Sequence, residues 1–209
     1  MNIKEEDEFR TINLLYDNYQ KDIEALDELL ISSPHLASFK SSYIDLFRKT
    51  FLLACANAFE RHLCKQLIKV FCPEQELLSC FLKKQALNRK YHTLFQWESS
   101  NANAFFALFG DNFKNNFSAK LRDNSQYKEG EGHFLFLGNK RNEIVHQGFD
   151  FVPFTEDVSD IWEKYKKALD FYVYLWKELE ELVTRDNSNI QTENHQTELA
   201  EFHNIQSEI

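Results

Sequence analysis

The sequence predicts an all-α protein of four to five main helices, shorter helices between them, and a polar C-terminal tail. Five glycines and three prolines among 209 residues leave few places for the chain to turn, which disfavours a many-stranded β fold. A 43% hydrophobic and 15% aromatic composition supplies a sizeable core. Apolar residues also recur at steps of three and four over long stretches, the period of an amphipathic helix.

Glu5 to Ile31 reads as the first helix, with Phe9, Ile12, Leu15, Tyr16, Tyr19, Ile23, Leu26 and Leu30 on one face and acids on the other. Ser32-Ser33-Pro34 breaks it. A second helix is expected from about Ser42 to Phe71, turning Phe47, Phe51, Cys55, Ala58, Phe59, Leu63 and Leu67 inward and ending at Pro73. Glu74 to Leu87 makes a shorter one. An aromatic stretch, Tyr91 to Trp97, precedes a helix over Ala102–Phe109 that Gly110 stops. Asp123 to Gly132 is polar with two glycines and is expected to be a surface loop. The next helix carries Phe134, Leu137, Gly138, Ile144 and Val145 toward the core, and Gly148 and Pro153 end it. Thr155 or Ser159 caps a last helix to about Val183, with Ile161, Trp162, Tyr165, Leu169, Tyr172, Val173, Trp176 and Leu179 inside. Residues 1–184 thus read as one domain, and 185–209, poor in apolar residues, as a disordered tail.

Net charge is −9, but the acids lie at the ends. Residues 1–30 hold nine acids against three bases, whereas residues 61–141 hold thirteen Lys and Arg against seven acids. That middle segment permits an anionic ligand. No run of eighteen apolar residues suggests a membrane span, and the acidic N-terminus has no signal-peptide pattern, so the expected location is the cytoplasm. Cys55, Cys64, Cys72 and Cys80 have neither zinc-finger nor zinc-ribbon spacing and are expected to be buried, reduced thiols. No metal-ligand cluster and no glycine-rich phosphate loop is apparent, so neither metal nor cofactor is expected.

The chemically distinctive stretch is His133 to Phe154, above all Arg141-Asn142-Glu143-Ile144-Val145-His146. Asn139, Asn142 and His146 stand three and four residues apart and form a polar stripe on a helix. Arg141 and His146 lie about 140° apart around an ideal helix and converge only with help, from unwinding, from a wrapped side chain or from a dimer interface. On the plainer reading Arg141 pairs with Glu143 or another acid, and His146 favours the helix C-terminus as an imidazolium.

Arg141-Asn142-x-x-x-His146 resembles the Arg-x4–6-His signature of the HEPN superfamily, with a polar residue directly after the arginine. Leu137-Gly138-Asn139-x-Arg141-Asn142-x-x-Val145-His146-x-Gly148-Phe149, preceded by Arg89-x-Tyr91-His92-x-Leu94-Phe95-x-Trp97 and Asn103-x-Phe105-Phe106-x-x-Phe109-Gly110, resembles the RiboL-PSP-type branch over roughly residues 40 to 183. The resemblance implies a helical bundle that often dimerises with two Arg-His motifs at the two-fold axis. It also implies a metal-independent endoribonuclease used as a toxin or in anti-phage defence, or else a module that binds RNA, a nucleotide or a protein without cutting. Regulation by nucleotidylation of a tyrosine two positions after the histidine is not supported, because that position is Gly148.

Such cleavage needs a base for the ribose 2′-hydroxyl, an acid for the 5′-oxygen, and a cation for the charged phosphorane. His146 suits proton transfer, Arg141 suits charge stabilisation, and Asn142 suits positioning of phosphate or imidazole. One histidine per chain is short for two proton transfers, and a symmetric homodimer would supply the second. The resemblance also implies a polar residue on an earlier helix facing the motif, which makes Glu60 on the second helix a candidate to hold Arg141 or His146, with pairing to Lys65 or Arg61 as the alternative. Arg89, Lys90 and Lys140, with Lys114, Lys120 and Arg122, are candidates for an RNA-facing rim, and Tyr91 or Trp97 would stack bases if exposed. The expected partners are RNA (tRNA, rRNA or mRNA), a second copy through the Arg141–His146 helix, and an antitoxin or defence partner. A structural bundle whose acidic ends bind a basic partner is the remaining alternative.

Overall fold

The computed structural model describes residues 2–72, 75–87, 91–149, 152 and 154–207, with side chains as far as residue 185. Seven α-helices and no strand occur among them: α1 (Asp7–Ser32), α2 (Ala37–Phe71), α3 (Glu76–Leu82), α4 (Asn103–Phe106), α5 (Asp111–Asp123), α6 (Ser125–Gln147) and α7 (Val158–Ser207). Short 3-10 turns precede α1 and α2 and follow α4, and α3 continues into a wider turn over Lys83–Leu87. No helix among the described residues is long and apolar enough to cross a membrane. The chain divides into two units, Met1–Tyr174 and Leu175–Ile209.

Within the first unit α1 and α2 form a hairpin, and α6 lies against α2. The core is largely aromatic. Phe59 of α2 meets Phe9 of α1 at 5.5 Å, Phe134 of α6 at 5.3 Å, and Tyr165 and Tyr172 of α7 at 5.7 and 5.1 Å between ring centres. All five rings are buried, so removal of their apolar surface from water accounts for four helices meeting at one place.

Several expectations are corrected. Asp123–Gly132 is not a loop: Asn124 caps α6 by accepting from the Tyr127 N–H at 3.3 Å, and α6 runs through both glycines. Gly130 is there for close approach, since a Cβ on it would stand 2.4 Å from the Lys167 carbonyl oxygen and 2.8 Å from Phe171 Cβ. Val145 faces outward, 55% exposed, rather than toward the core. The cap of α7 is Asp157 rather than Thr155 or Ser159, its Oδ1 accepting from the Asp160 N–H at 2.8 Å. In addition, α5 presents Phe113, Phe117 and Leu121 to the core where no helix was expected. Residues 107–109 form a 3-10 turn rather than α-helix before Gly110, whose φ is +93°. Cys55 and Cys72 are buried as expected, but Cys64 is half-buried and Cys80 exposed.

The second unit carries the continuation of α7, which reaches Ser207 where the composition reads as a tail. No glycine or proline occurs after Pro153 to stop it. Arg185 pairs with Glu181 one turn earlier at 3.2 Å.

A buried polar network ties the start of α1 to α2 and α7. His62 is fully buried; its Nδ1 lies 2.7 Å from the Tyr172 hydroxyl and its Nε2 3.5 Å from Glu6 Oε2. Burial pushes the imidazole below its ordinary range, although Glu6 and Glu8 pull it back up and Lys65 pushes it down. Burial also acts to raise Glu6, but the Lys65 hydrogen bond and the His62 and Lys65 charges outweigh it and hold that carboxyl low. For both groups the unfolded chain binds the proton more readily, so their stabilisation is present at neutral pH and lost as pH falls. The urea midpoint is expected to drop from about pH 6.5 downward, the ordinary range of histidine, and a flat midpoint down to pH 5 would contradict a neutral buried His62.

Candidate active site on α6

The C-terminal half of α6 holds the Arg-Asn-His stretch. Glycine at 148, with φ +97°, lets the chain turn off the helix while its N–H still bonds the Ile144 carbonyl at 3.1 Å. Lys49 of α2, only 7% exposed, fixes the exit by donating to the Phe149 carbonyl at 3.1 Å, with its ammonium 5.4 Å from the centre of the Phe149 ring. Helix end and neighbouring helix are thereby tied together beside His146.

Arg141 and His146 point into different spaces. Arg141 lines a cavity of about 840 Å³ walled by α1, α2, the Lys83–Leu87 turn and α6, together with Asn57, Glu60, Arg61, Cys64 and Lys65. Its Nη2 donates to Glu60 Oε2 at 3.0 Å, and its Nη1 donates to Asn142 Oδ1 at 3.1 Å. Glu60 therefore holds Arg141, while Lys65 pairs instead with Glu6 at 2.9 Å. Glu143 is taken by Asn139 at 3.0 Å and Lys140 at 2.7 Å, so it is not the partner of Arg141. Around the Arg141–Glu60 pair the neighbouring acids stay protonated: burial, with the Glu60 charge adding, pushes the Cys64 thiol up to about 11 and the Tyr91 phenol well above its ordinary range. A thiol held there is a poor nucleophile at neutral pH.

His146 is exposed and lines a separate, shallow cleft of about 310 Å³ with Asn139, Asn142, Gln96, Trp97 and Glu98. The polar stripe expected along α6 is thus one wall of this cleft. Its other wall is the turn at residues 96–98, of which the sequence singled out Trp97, as a base-stacking candidate, but neither Gln96 nor Glu98. That turn is pinned twice. A Cβ on Gly138 would lie 2.0 Å from the Trp97 ring, so the indole fills the space glycine leaves on α6. Four residues on, the Ala102 N–H donates to the buried Glu131 carboxylate of α6 at 2.7 Å. Asn142 is the link between the two spaces, since it accepts from Arg141 and also lines the His146 cleft.

The RiboL-PSP-HEPN family profile matches residues 14–204. The chain belongs to this family. The match takes in most of α1 and nearly all of α7, more than the 40–183 span that the motifs suggested. No curated protein and no solved structure matches it. A family member's all-α bundle is what the chain forms, and the Arg-Asn-x-x-x-His stretch lies on α6 of that bundle.

Of the remaining candidates, Lys140 is half-buried and paired with Glu143, which leaves it little freedom to meet a phosphate. Lys114 pairs with Asp111 at 3.0 Å. Arg89 and Lys90 lie outside the described residues. Tyr91 and Trp97 are buried, 6% and 9% exposed, and serve the core rather than base stacking. Among the described residues no group of three or more His, Cys, Asp or Glu gathers as a metal site.

Proposed function

We propose that this HEPN protein is a metal-independent endoribonuclease that cuts RNA by attack of the 2′-hydroxyl on the adjacent phosphorus, serving as a toxin or anti-phage effector in the cytoplasm. The observation that carries the reading is the exposed His146 imidazole on a polar cleft shared with Asn142, which is itself hydrogen-bonded to Arg141. An exposed imidazole can exchange protons with a bound ribose and with water, and an arginine one amide away can meet the phosphorane charge. A homodimer through α6 fits the outward-facing Val145 beside His146 and would bring two such stretches together. Its RNA would be tRNA, rRNA or mRNA, and an antitoxin or defence partner would restrain it.

One observation favours the second reading, a HEPN module that binds RNA, a nucleotide or a protein without cutting. Arg141 is engaged by Glu60 and faces a different cavity from His146. The two are separated by cleavage of total tRNA and rRNA in excess EDTA by wild type, His146→Ala and Arg141→Ala. Ends carrying 2′,3′-cyclic phosphate, with loss of about 100-fold or more in both variants, are the expected result. Equal background in all three proteins, with RNA or a protein still bound, would establish the binding module instead.

A further inference from the structure

The His146 cleft contains a second titratable side chain. Among the described residues that line it, only Glu98 and His146 carry a group that exchanges protons, and they stand on different elements, the 96–98 turn and α6. Both are exposed, and neither has a hydrogen bond or ion pair among the described residues. Three charged neighbours among the described residues are committed. Lys140 pairs with Glu143, Arg141 with Glu60, and the buried Glu131 with Lys128 and the Ala102 N–H. His92, on the segment before the turn, is exposed and uses its carbonyl to accept from Trp97 Nε1 at 2.8 Å.

Glu98 sits on a rigid mount. Trp97 beside it is locked against Gly138 of α6, and its indole N–H is tied to the preceding segment. Within the turn the Ser99 N–H bonds the Gln96 carbonyl at 2.9 Å, and Ala102 is held by Glu131. A solvent-exposed glutamate needs no such support to stay soluble. Its consequence is that an unpaired glutamate and an unpaired histidine line one cleft from two elements, on a scaffold that holds both backbones.

We propose that Glu98 is the proton acceptor of the cleavage step, working with His146 of the same chain. This inference rests on the ribonuclease reading and supplies the second proton-transfer group that one histidine lacks. The Glu98 carboxylate takes the proton of the ribose 2′-hydroxyl as the 2′-oxygen forms its bond to phosphorus. The bond from phosphorus to the 5′-oxygen breaks, and the protonated His146 imidazole gives its proton to that oxygen. The products are a 2′,3′-cyclic phosphate and a 5′-hydroxyl, and water exchange returns the proton from Glu98 to His146. No metal or further reactant enters the balance. The rate then rises with pH as the carboxylate ionises and falls as the imidazolium loses its proton, giving a bell-shaped profile.

The test uses the full chain on an RNA oligonucleotide in EDTA, with wild type, Glu98→Gln and His146→Ala, each first checked for an unchanged melting temperature. Glu98→Gln is expected to lower kcat by about 100-fold or more, to remove the acid limb of the pH profile, and to bind RNA as tightly or more tightly, because a negative charge has gone. A mixture of Glu98→Gln and His146→Ala chains is expected to stay inactive, since neither chain holds both groups. If His146→Ala is dead while Glu98→Gln keeps its acid limb and a rate within about threefold of wild type, Glu98 is not the acceptor and the ribonuclease reading stands. Activity regained in the mixture would overturn the same-chain pairing. No cleavage by wild type at all would overturn both.

Discussion

Gly138→Ala is expected to destabilise the fold by about 3 kcal/mol, the upper end of ordinary overpacking. A Cβ at this position would lie 2.0 Å from Trp97 Cζ3 and 2.2 Å from Cε3, well inside van der Waals contact. The indole has little room to yield. Its other neighbours are the rings of Phe95 at 4.7 Å, Tyr91 at 5.4 Å and Phe134 at 5.9 Å, and its N–H is bonded to the His92 carbonyl. For a chain of this size the melting temperature should fall by about 6–12 °C, read by circular dichroism. Trp97→Leu in the same chain should recover part of that loss, and the double-mutant cycle should show a coupling of about 1 kcal/mol or more. A Gly138→Ala protein that melts within about 1 °C of wild type would mean that Trp97 swings aside without cost. Because Trp97 carries Gln96 and Glu98 into the cleft, the variant should also lose cleavage at temperatures where it remains folded.

The same glycine shows what the sequence makes legible. Helices α1 and α2, the later part of α6 and α7 as far as about Val183 were readable because their apolar residues repeat over many turns, and tertiary packing then rewards the repeated face. At Gly130 and Gly132 the usual reading of glycine as a turn failed. Gly130 is needed for its missing side chain at a helix crossing, and nothing local in the sequence distinguishes that need from a turn. Helix α5 escaped notice because only Phe113, Phe117 and Leu121 mark its face among polar neighbours. At the site, the divergence of Arg141 from His146 followed from helix geometry, whereas Glu60 as the hold on Arg141 came from the family resemblance alone. Gln96 and Glu98 were not legible, since they reach the cleft from a turn more than forty residues earlier. What places them is a long-range fit of Trp97 on Gly138 and of Glu131 on the Ala102 N–H.

Asn142→Ala is expected to lower kcat for RNA cleavage by about 100- to 1000-fold, the cost of losing one oriented group that acts on developing charge. The reasoning starts from the separation of the two spaces. Arg141 and His146 do not share a wall in one chain, yet on the proposed ribonuclease reading a phosphorane forming at His146 would need a cation nearby. Asn142 is the residue that touches both, with its Oδ1 accepting from Arg141 Nη1 at 3.1 Å while its side chain lines the cleft. Without the amide, Arg141 keeps its bond to Glu60 and loses its tether toward the cleft. Asn142 is half-exposed, and replacing it removes one side-chain hydrogen bond, so stability should change by about 1 kcal/mol or less. A large fall in kcat with a nearly unchanged melting temperature therefore separates positioning from folding. A rate within about tenfold of wild type would mean that Arg141 acts independently of Asn142. The arginine would then have to reach the phosphate across a dimer interface, and mixing Arg141→Ala with His146→Ala chains should restore cleavage.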